Sequence, residues 1–144
     1  MRVHQILRTK SDDGVVTIEP DARIADAAAL LSSRRIGAVV VSPDGKKAVG
    51  ILSERDIVRE LGQRGPVCLE DTVDKLMTQE VISCKREDMS AAVFRLMTDG
   101  RFRHLPVIED GEMVGLISIG DVVKAQLSEL EMEKDALQGM IMGH

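Results

Sequence analysis

Gly50-Ile51-Leu52-Ser53-Glu54-Arg55-Asp56 returns 65 residues on as Gly115-Leu116-Ile117-Ser118-Ile119-Gly120-Asp121. The surrounding text repeats with it. Ile24, Ala27, Ala28 and Leu31 are matched by Met89, Ala92, Val93 and Leu96, and Pro43-Asp44-Gly45 by Asp110-Gly111. A period this long exceeds a short solenoid unit and suits a half-domain folding with its twin. In a chain of 144 residues, two such copies leave room for little else.

Each copy reads β-α-β-β-α. Val15-Val16-Thr17-Ile18 is a β-branched run ending before Pro20, which predicts a strand. Asp21 is the expected cap of a helix whose apolar positions Ile24, Ala27, Ala28 and Leu31 follow helical spacing. Ile36 to Val41 reads as a buried strand, and Pro43-Asp44-Gly45 as a turn. Val49 to Leu52 is its hairpin partner, and Ser53 opens a helix bearing Ile57, Val58 and Leu61. The second copy gives strands over Val81–Ser83, Leu105–Ile108 and Met113–Ser118, with helices over Met89–Thr98 and from Gly120. It carries one residue more between helix and strand, and one fewer in the hairpin. The fold class is therefore α/β (α+β), with unit 1 over residues 1–62, a Gly65-Pro66 linker over 63–73 and unit 2 over 74–126.

Residues 127–144 form a helical tail. Val123, Leu127, Leu130, Leu137 and Ile141 keep a 4-3 spacing, with Lys134 filling one slot. That stripe suits either packing back on the same domain or a contact in a dimer.

Composition closes several routes. A net charge of −5 disfavours nucleic acid, whose binding rests on Lys and Arg neutralising phosphates. No apolar run approaches the roughly 18 residues that suggest a membrane span, and the start lacks the apolar stretch of a secretory signal. Cys68 and Cys84 have no CxxC spacing and no His pair, so neither a disulfide framework nor a metal site is expected. A reducing, cytoplasmic setting follows. With two Phe and no Tyr or Trp, a planar ligand is expected to rest on aliphatic side chains and backbone. The eight Met read as core filler.

The duplicated unit, each copy ending in Gly-apolar-apolar-Ser-x-x-Asp, resembles the cystathionine-β-synthase-type (CBS) domain. Ile36-Gly37-Ala38-Val39-Val40-Val41 and Arg103-His104-Leu105-Pro106-Val107, in register with the heptapeptides, strengthen the match. Two in tandem look like a Bateman module over about residues 1–126. The resemblance implies two units packed about a pseudo-two-fold, two clefts able to hold adenine nucleotides, and frequent dimerisation.

It also implies ligand residues. The base would lie against Val16 with Gly37, Ala38 and Val39, and against Val81 with Arg103, His104, Leu105 and Pro106. Asp56 and Asp121 would accept hydrogen bonds from a ribose diol, and charged acceptors make strong ones. Ser53 and Ser118 sit at helix starts, where free N–H groups favour phosphate; Arg55, Arg103 and His104 would meet phosphate. Yet Ser-x-x-Asp before a helix is also a capping-box-like pattern, and both roles stay open. AMP is the first choice of ligand, with NAD, ADP, ATP and S-adenosylmethionine as others.

The expected function is a nucleotide-binding regulatory sensor acting in trans on an unknown protein partner, as a homodimer. The alternative is a dimerisation or adaptor protein with vestigial clefts. A hydrolase or transferase is disfavoured: there is no Gly-x-Ser-x-Gly, no P-loop and no metal cluster, and His4, His104 and His144 are scattered.

Overall fold

Pro106 stands where the first half has Val40, and that one difference shapes the two sheets. The computed structural model describes residues 1–10 and 14–142. Its elements are α1 (Val3–Thr9), β1 (Thr17–Ile18), α2 (Ile24–Arg34), β2 (Ala38–Val41), β3 (Gly50–Ser53) and α3 (Glu54–Arg64). A 3₁₀ turn at Pro66–Glu70 leads to α4 (Val73–Leu76), α5 (Ser90–Gly100), β4 (His104–Glu109), β5 (Glu112–Ser118) and α6 (Ile119–Ile141). The first sheet has the order β1-β2-β3, parallel then antiparallel. The second is the antiparallel pair β4-β5. Val40 N–H donates to the Val16 carbonyl at 3.3 Å, whereas Pro106 has no N–H to give. The strand expected over Val81–Ser83 therefore shrinks to a single bridge between Cys84 and Val107.

Both halves build their own core. Ile24, Ala27, Leu31, Val39, Val41, Leu52, Ile57 and Val73 fill the first. Val93, Met97, Leu105, Val107, Ile117 and Val122 belong to the second. Segments cross between them in both directions. α1 sends Val3 and Ile6 into the second core, although residues 1–9 fall in the expected first unit. α4 and the preceding segment serve the first, with Val73 N–H donating to Ala22 C=O and Ile24 N–H to Asp71 C=O. The counterpart bonds run from Val3 N–H to Asp88 C=O and from Ser90 N–H to Met1 C=O. The exchange is reciprocal, as a pseudo-two-fold relation requires.

These bonds also move the helix starts. Arg23 is the N-cap of α2 and makes no side-chain cap, so Asp21 does not take that role. The exposed N–H of Ile24 is met by the Asp71 carbonyl instead. In α5 the buried set is Ser90, Val93 and Met97, while Met89 and Leu96 are exposed. The match of Ile24 is thus Ser90, one residue later than the repeat suggested. Arg35 and Arg101 end the two helices in the same left-handed conformation. Within the unit only the hairpin differs in length. Asp110 and Gly111, both at positive φ, close the second hairpin tightly.

Two further expectations fail on burial. Met97 is buried and Met1 and Met77 pack against the cores, but Met89, Met132, Met140 and Met142 are exposed. In α6, Val122 and Ala125 are buried, but Leu127, Leu130, Leu137 and Ile141 are 57–84% exposed. Glu129 pairs with the Met1 ammonium, but the apolar stripe of the tail does not pack on its own domain. Residues 143–144 of it lie outside the described residues.

Candidate functional site: two clefts between the halves

Each heptapeptide ends a strand and starts a helix, and both close a capping box. Ser53 Oγ accepts from Asp56 N–H at 3.3 Å, and Ser53 N–H donates to Asp56 Oδ2 at 2.9 Å. Ser118 Oγ accepts from Asp121 N–H at 3.1 Å, and Ser118 N–H donates to Asp121 Oδ2 at 2.9 Å. The capping role is therefore real in both copies. It satisfies helix donors that would otherwise lack partners.

The remaining contacts of the two acids differ. Asp56 Oδ1 pairs with Arg59 of its own helix. Asp121 Oδ2 takes Lys10 Nζ at 2.8 Å, and the same ammonium donates to the Leu116 carbonyl at 2.7 Å. Burial pushes the Asp121 carboxyl up, but Lys10 and the Ser118 N–H outweigh it and hold the pKa below the usual range.

The first box opens onto a narrow cleft, while of the second only Ser118 reaches a wide one; both clefts are walled by both halves. The wide cleft, about 1170 Å³, places Val16, Ile36, Gly37 and Ala38 opposite Gly115, Leu116 and Ser118. The narrow cleft, about 320 Å³, places Ile82, Phe102, Arg103, His104 and Leu105 opposite Ser53, Arg55 and Asp56. A strand wall from one half thus faces the strand–helix junction of the other, Ser53 to Asp56 in the narrow cleft and Ser118 in the wide one. Backbone bonds hold the strand–helix junctions alike: Glu54 N–H donates to Gly37 C=O at 2.9 Å and Ile119 N–H to Arg103 C=O at 2.8 Å.

Gly37 and His104 border both clefts. A Cβ on Gly37 would sit 3.8 Å from His104 Cε1, so the partition between the clefts is thin. Burial lowers the His104 pKa, helped by Lys10 and Arg103 and opposed by Asp121 and Glu54.

Val39, Val81, Pro106 and Asp121 line neither cleft; Asp121 borders a separate hollow with Lys10 and Lys124. Val39 and Pro106 are buried within their sheets. Ile82 stands where Val81 was expected, by the same one-residue shift that moves α5. Phe102 supplies an aromatic ring to the narrow cleft, against the expectation of aliphatic walls alone. Lys10, Arg34, Ile36 and Arg59 join the clefts without having been singled out. Lys10 reaches Asp121 through the crossing of α1, for which a local motif holds no signal.

Among the described residues, no cluster of three His, Cys, Asp or Glu could hold a metal ion, and no helix is long and apolar enough to cross a membrane. Cys68 and Cys84 are free and buried. Burial, with Asp88 nearby, pushes the Cys84 thiol up to about 12, which leaves almost no thiolate.

Comparison with known proteins agrees with this geometry. A CBS domain-containing mitochondrial protein of Arabidopsis thaliana, CBSX3, is 37% identical over 139 residues, covering 93% of this chain and 68% of its own. The crystal structure of the CBS-domain containing protein ATU1752 from Agrobacterium tumefaciens superposes with a TM-score of 0.82 at 42% identity, covering 88% of this chain and 99% of its own. CBSX2, solved in complex with AMP, gives a TM-score of 0.72 at 25% identity over 88% of this chain and 96% of its own. The model of the CBS domain matches twice, at residues 5–63 and 73–128, and the chain belongs to the CBS-domain family as a tandem pair.

Proposed function

We propose that this chain is a non-catalytic regulatory sensor of adenine nucleotides, with AMP the first ligand, acting in trans on a protein partner. The observation that carries the reading is the composition of the clefts: each joins a strand wall of one half to the strand–helix junction of the other, Ser53 to Asp56 in the narrow cleft and Ser118 in the wide one. A nucleotide spanning such a cleft favours one relative setting of the halves, in proportion to its differential affinity for the two. The AMP complex of CBSX2 supports the ligand class. NAD, ADP, ATP and S-adenosylmethionine carry the same adenosine and are the other ligands to test. Asp56 and Asp121 then accept from the ribose diol while remaining helix caps, since a carboxylate has about four acceptor sites. Ser53, Ser118, Arg55, Arg103 and His104 face the phosphate.

We take the occupant of the α6 stripe to be a second copy of this chain. Its 4-3 spacing suits a helical partner of the same pitch, and a single Lys134 among apolar positions sets register in a dimer. The buried free thiols accord with a reducing compartment such as the cytoplasm.

One observation favours the adaptor reading: both carboxylates already have protein partners. Ligand occupancy decides. Lacking Trp and Tyr, the pure protein absorbs little in the near ultraviolet, so an adenine band after purification exposes a bound nucleotide. Mass spectrometry then names it, and calorimetric titration of AMP into wild type, Asp56→Asn and Asp121→Asn assigns the cleft. A clean spectrum together with no heat from AMP or the other four ligands overturns the sensor.

A further inference from the structure

Val123, Leu127, Leu130, Lys134, Leu137 and Ile141 share one face of α6, and all are exposed. The second match to the CBS-domain model ends at residue 128, so Leu130, Lys134, Leu137 and Ile141 stand outside the duplicated unit. The steps along the face alternate 4 and 3 and both begin and end on 4. The stripe therefore reads the same from either end, with Met132 at its centre.

Two copies can be laid along such a face in either direction. In a parallel pair every residue meets itself, and two Lys134 ammonium groups share one apolar layer. Run antiparallel about Met132, the layers become Val123 with Ile141, Leu127 with Leu137 and Lys134 with Leu130 of the second copy. The Lys134 stem then lies along a leucine while its ammonium reaches the edge of the seam. Glu131 of the second copy stands at that same edge, next to its Leu130. Glu131 also precedes Lys134 by three positions in its own helix, so the two copies close a ring of alternating charge. On the other edge Glu133 approaches its own copy, but there the charges face solvent and are screened. The overlap is complete as well. Val122 and Ala125 are buried against the body, and Val123 is where the stripe opens to a partner. A pairing centred on Met132 begins there and ends at Ile141.

We propose that α6 pairs antiparallel with α6 of a second copy, Met132 lying at the two-fold axis and Lys134 set against Leu130 and Glu131 of that copy. This rests on the second copy as occupant of the stripe and adds the direction and register of the pair. The two bodies then sit at opposite ends of the paired helices.

The test is disulfide cross-linking of the full chain under mild oxidation, with wild type, whose own cysteines are buried, as the control. Leu127→Cys and Leu137→Cys chains are coexpressed, one carrying an affinity tag so that mixed dimers are told apart. Antiparallel pairing leaves like positions ~15 Å apart, beyond the ~7 Å between Cα atoms that a disulfide spans, so the mixed disulfide is expected at about fivefold or more the yield of either self-disulfide. Lys134→Glu is expected to weaken the dimer about tenfold in light scattering, since two symmetric ion pairs are lost, and Glu131→Lys in the same chain to restore it. Both side chains are exposed, so neither half needs them to fold. Leu137→Cys alone cross-linking as well as the mixture makes the pair parallel, which overturns this proposal and leaves the second copy in place. A charge swap that restores nothing overturns the register too. A wild type that is monomeric at every concentration, or dimeric with no cross-link in any mixture, overturns both.

Discussion

Lys10 Nζ lies 2.8 Å from Asp121 Oδ2, tying the segment after the first helix to the capping box of the last. The acid therefore serves helix stability and inter-segment contact at once. Asp121→Asn should cost about 1–2 kcal/mol near neutral pH, the range for a weakened cap with a partly exposed ion pair. The sign with pH follows from the depressed pKa. A carboxylate held low stabilises above its unfolded value, near pH ~3.9, and loses that stabilisation as pH falls through the folded value. The difference in Tm between wild type and variant should thus persist down to about pH 4 and close below it. Closure already at neutral pH would mean that the Lys10 pair contributes nothing.

His104 has a linkage of the same sign at higher pH. Burial lowers its pKa from the ordinary 6.5, so the folded protein resists taking the proton. Above 6.5 it contributes no pH dependence; as pH falls from 6.5 through the folded value, the unfolded chain binds the proton first and stability declines. NMR titration of the imidazole Cε1 proton should give a midpoint below 6.5 in the free protein. AMP should raise it, because a phosphate beside the ring favours the imidazolium. A midpoint at or above 6.5 without ligand would contradict the burial argument.

The repeat made the architecture legible, because paired strands and helices leave periodic apolar positions. Ile24 and Leu31, Val39 and Val41, Ser53 and Ser118 were all visible that way. What escaped was non-local. Nothing local tells that Val3 and Ile6 fill the second core, or that Lys10 meets Asp121. The one-residue error at α5 has a plain cause: Ala91 and Ala92 are small enough that either register looks apolar, and only the bond from Ser90 N–H to Met1 decides it. The same shift puts Ile82, not Val81, in the narrow cleft.

Gly50 and Gly115 test the exchanged segments. They occupy equivalent positions in β3 and β5, and each is covered by the segment that crosses over. A Cβ on Gly50 would lie 3.0 Å from the Thr78 backbone carbonyl and press on Met77; one on Gly115 would lie 2.8 Å from Leu7 Cδ2. Backbone yields less than a side-chain tip. Gly50→Ala should therefore cost about 2–3 kcal/mol and Gly115→Ala about 1, within the range for overpacking. Urea denaturation of the double variant Leu7→Ala/Gly115→Ala should show the clash relieved as a favourable coupling. Met77→Ala should only partly relieve Gly50→Ala, since the carbonyl remains. Equal costs at both glycines would argue against the two coverings as described.

The α6 stripe gives the last prediction. Leu130 and Leu137 are 61% and 59% exposed on a helix whose last buried residue is Ala125. About a dozen helical residues beyond Glu129 with no packed face are marginal in water, and the proposed second copy would hold them. Replacing both leucines with Glu places charge at the centre of the stripe. Light scattering coupled to size exclusion should then show a dimer for wild type and a monomer for Leu130→Glu/Leu137→Glu. The cores contain neither residue, so the variant's two-core body should melt with nearly unchanged Tm once concentration effects are removed. Helix content should fall, because the freed tail frays. A wild type that is monomeric at every concentration would remove the second copy as occupant of this face. A variant that stays dimeric would move the contact to the helices of the two halves.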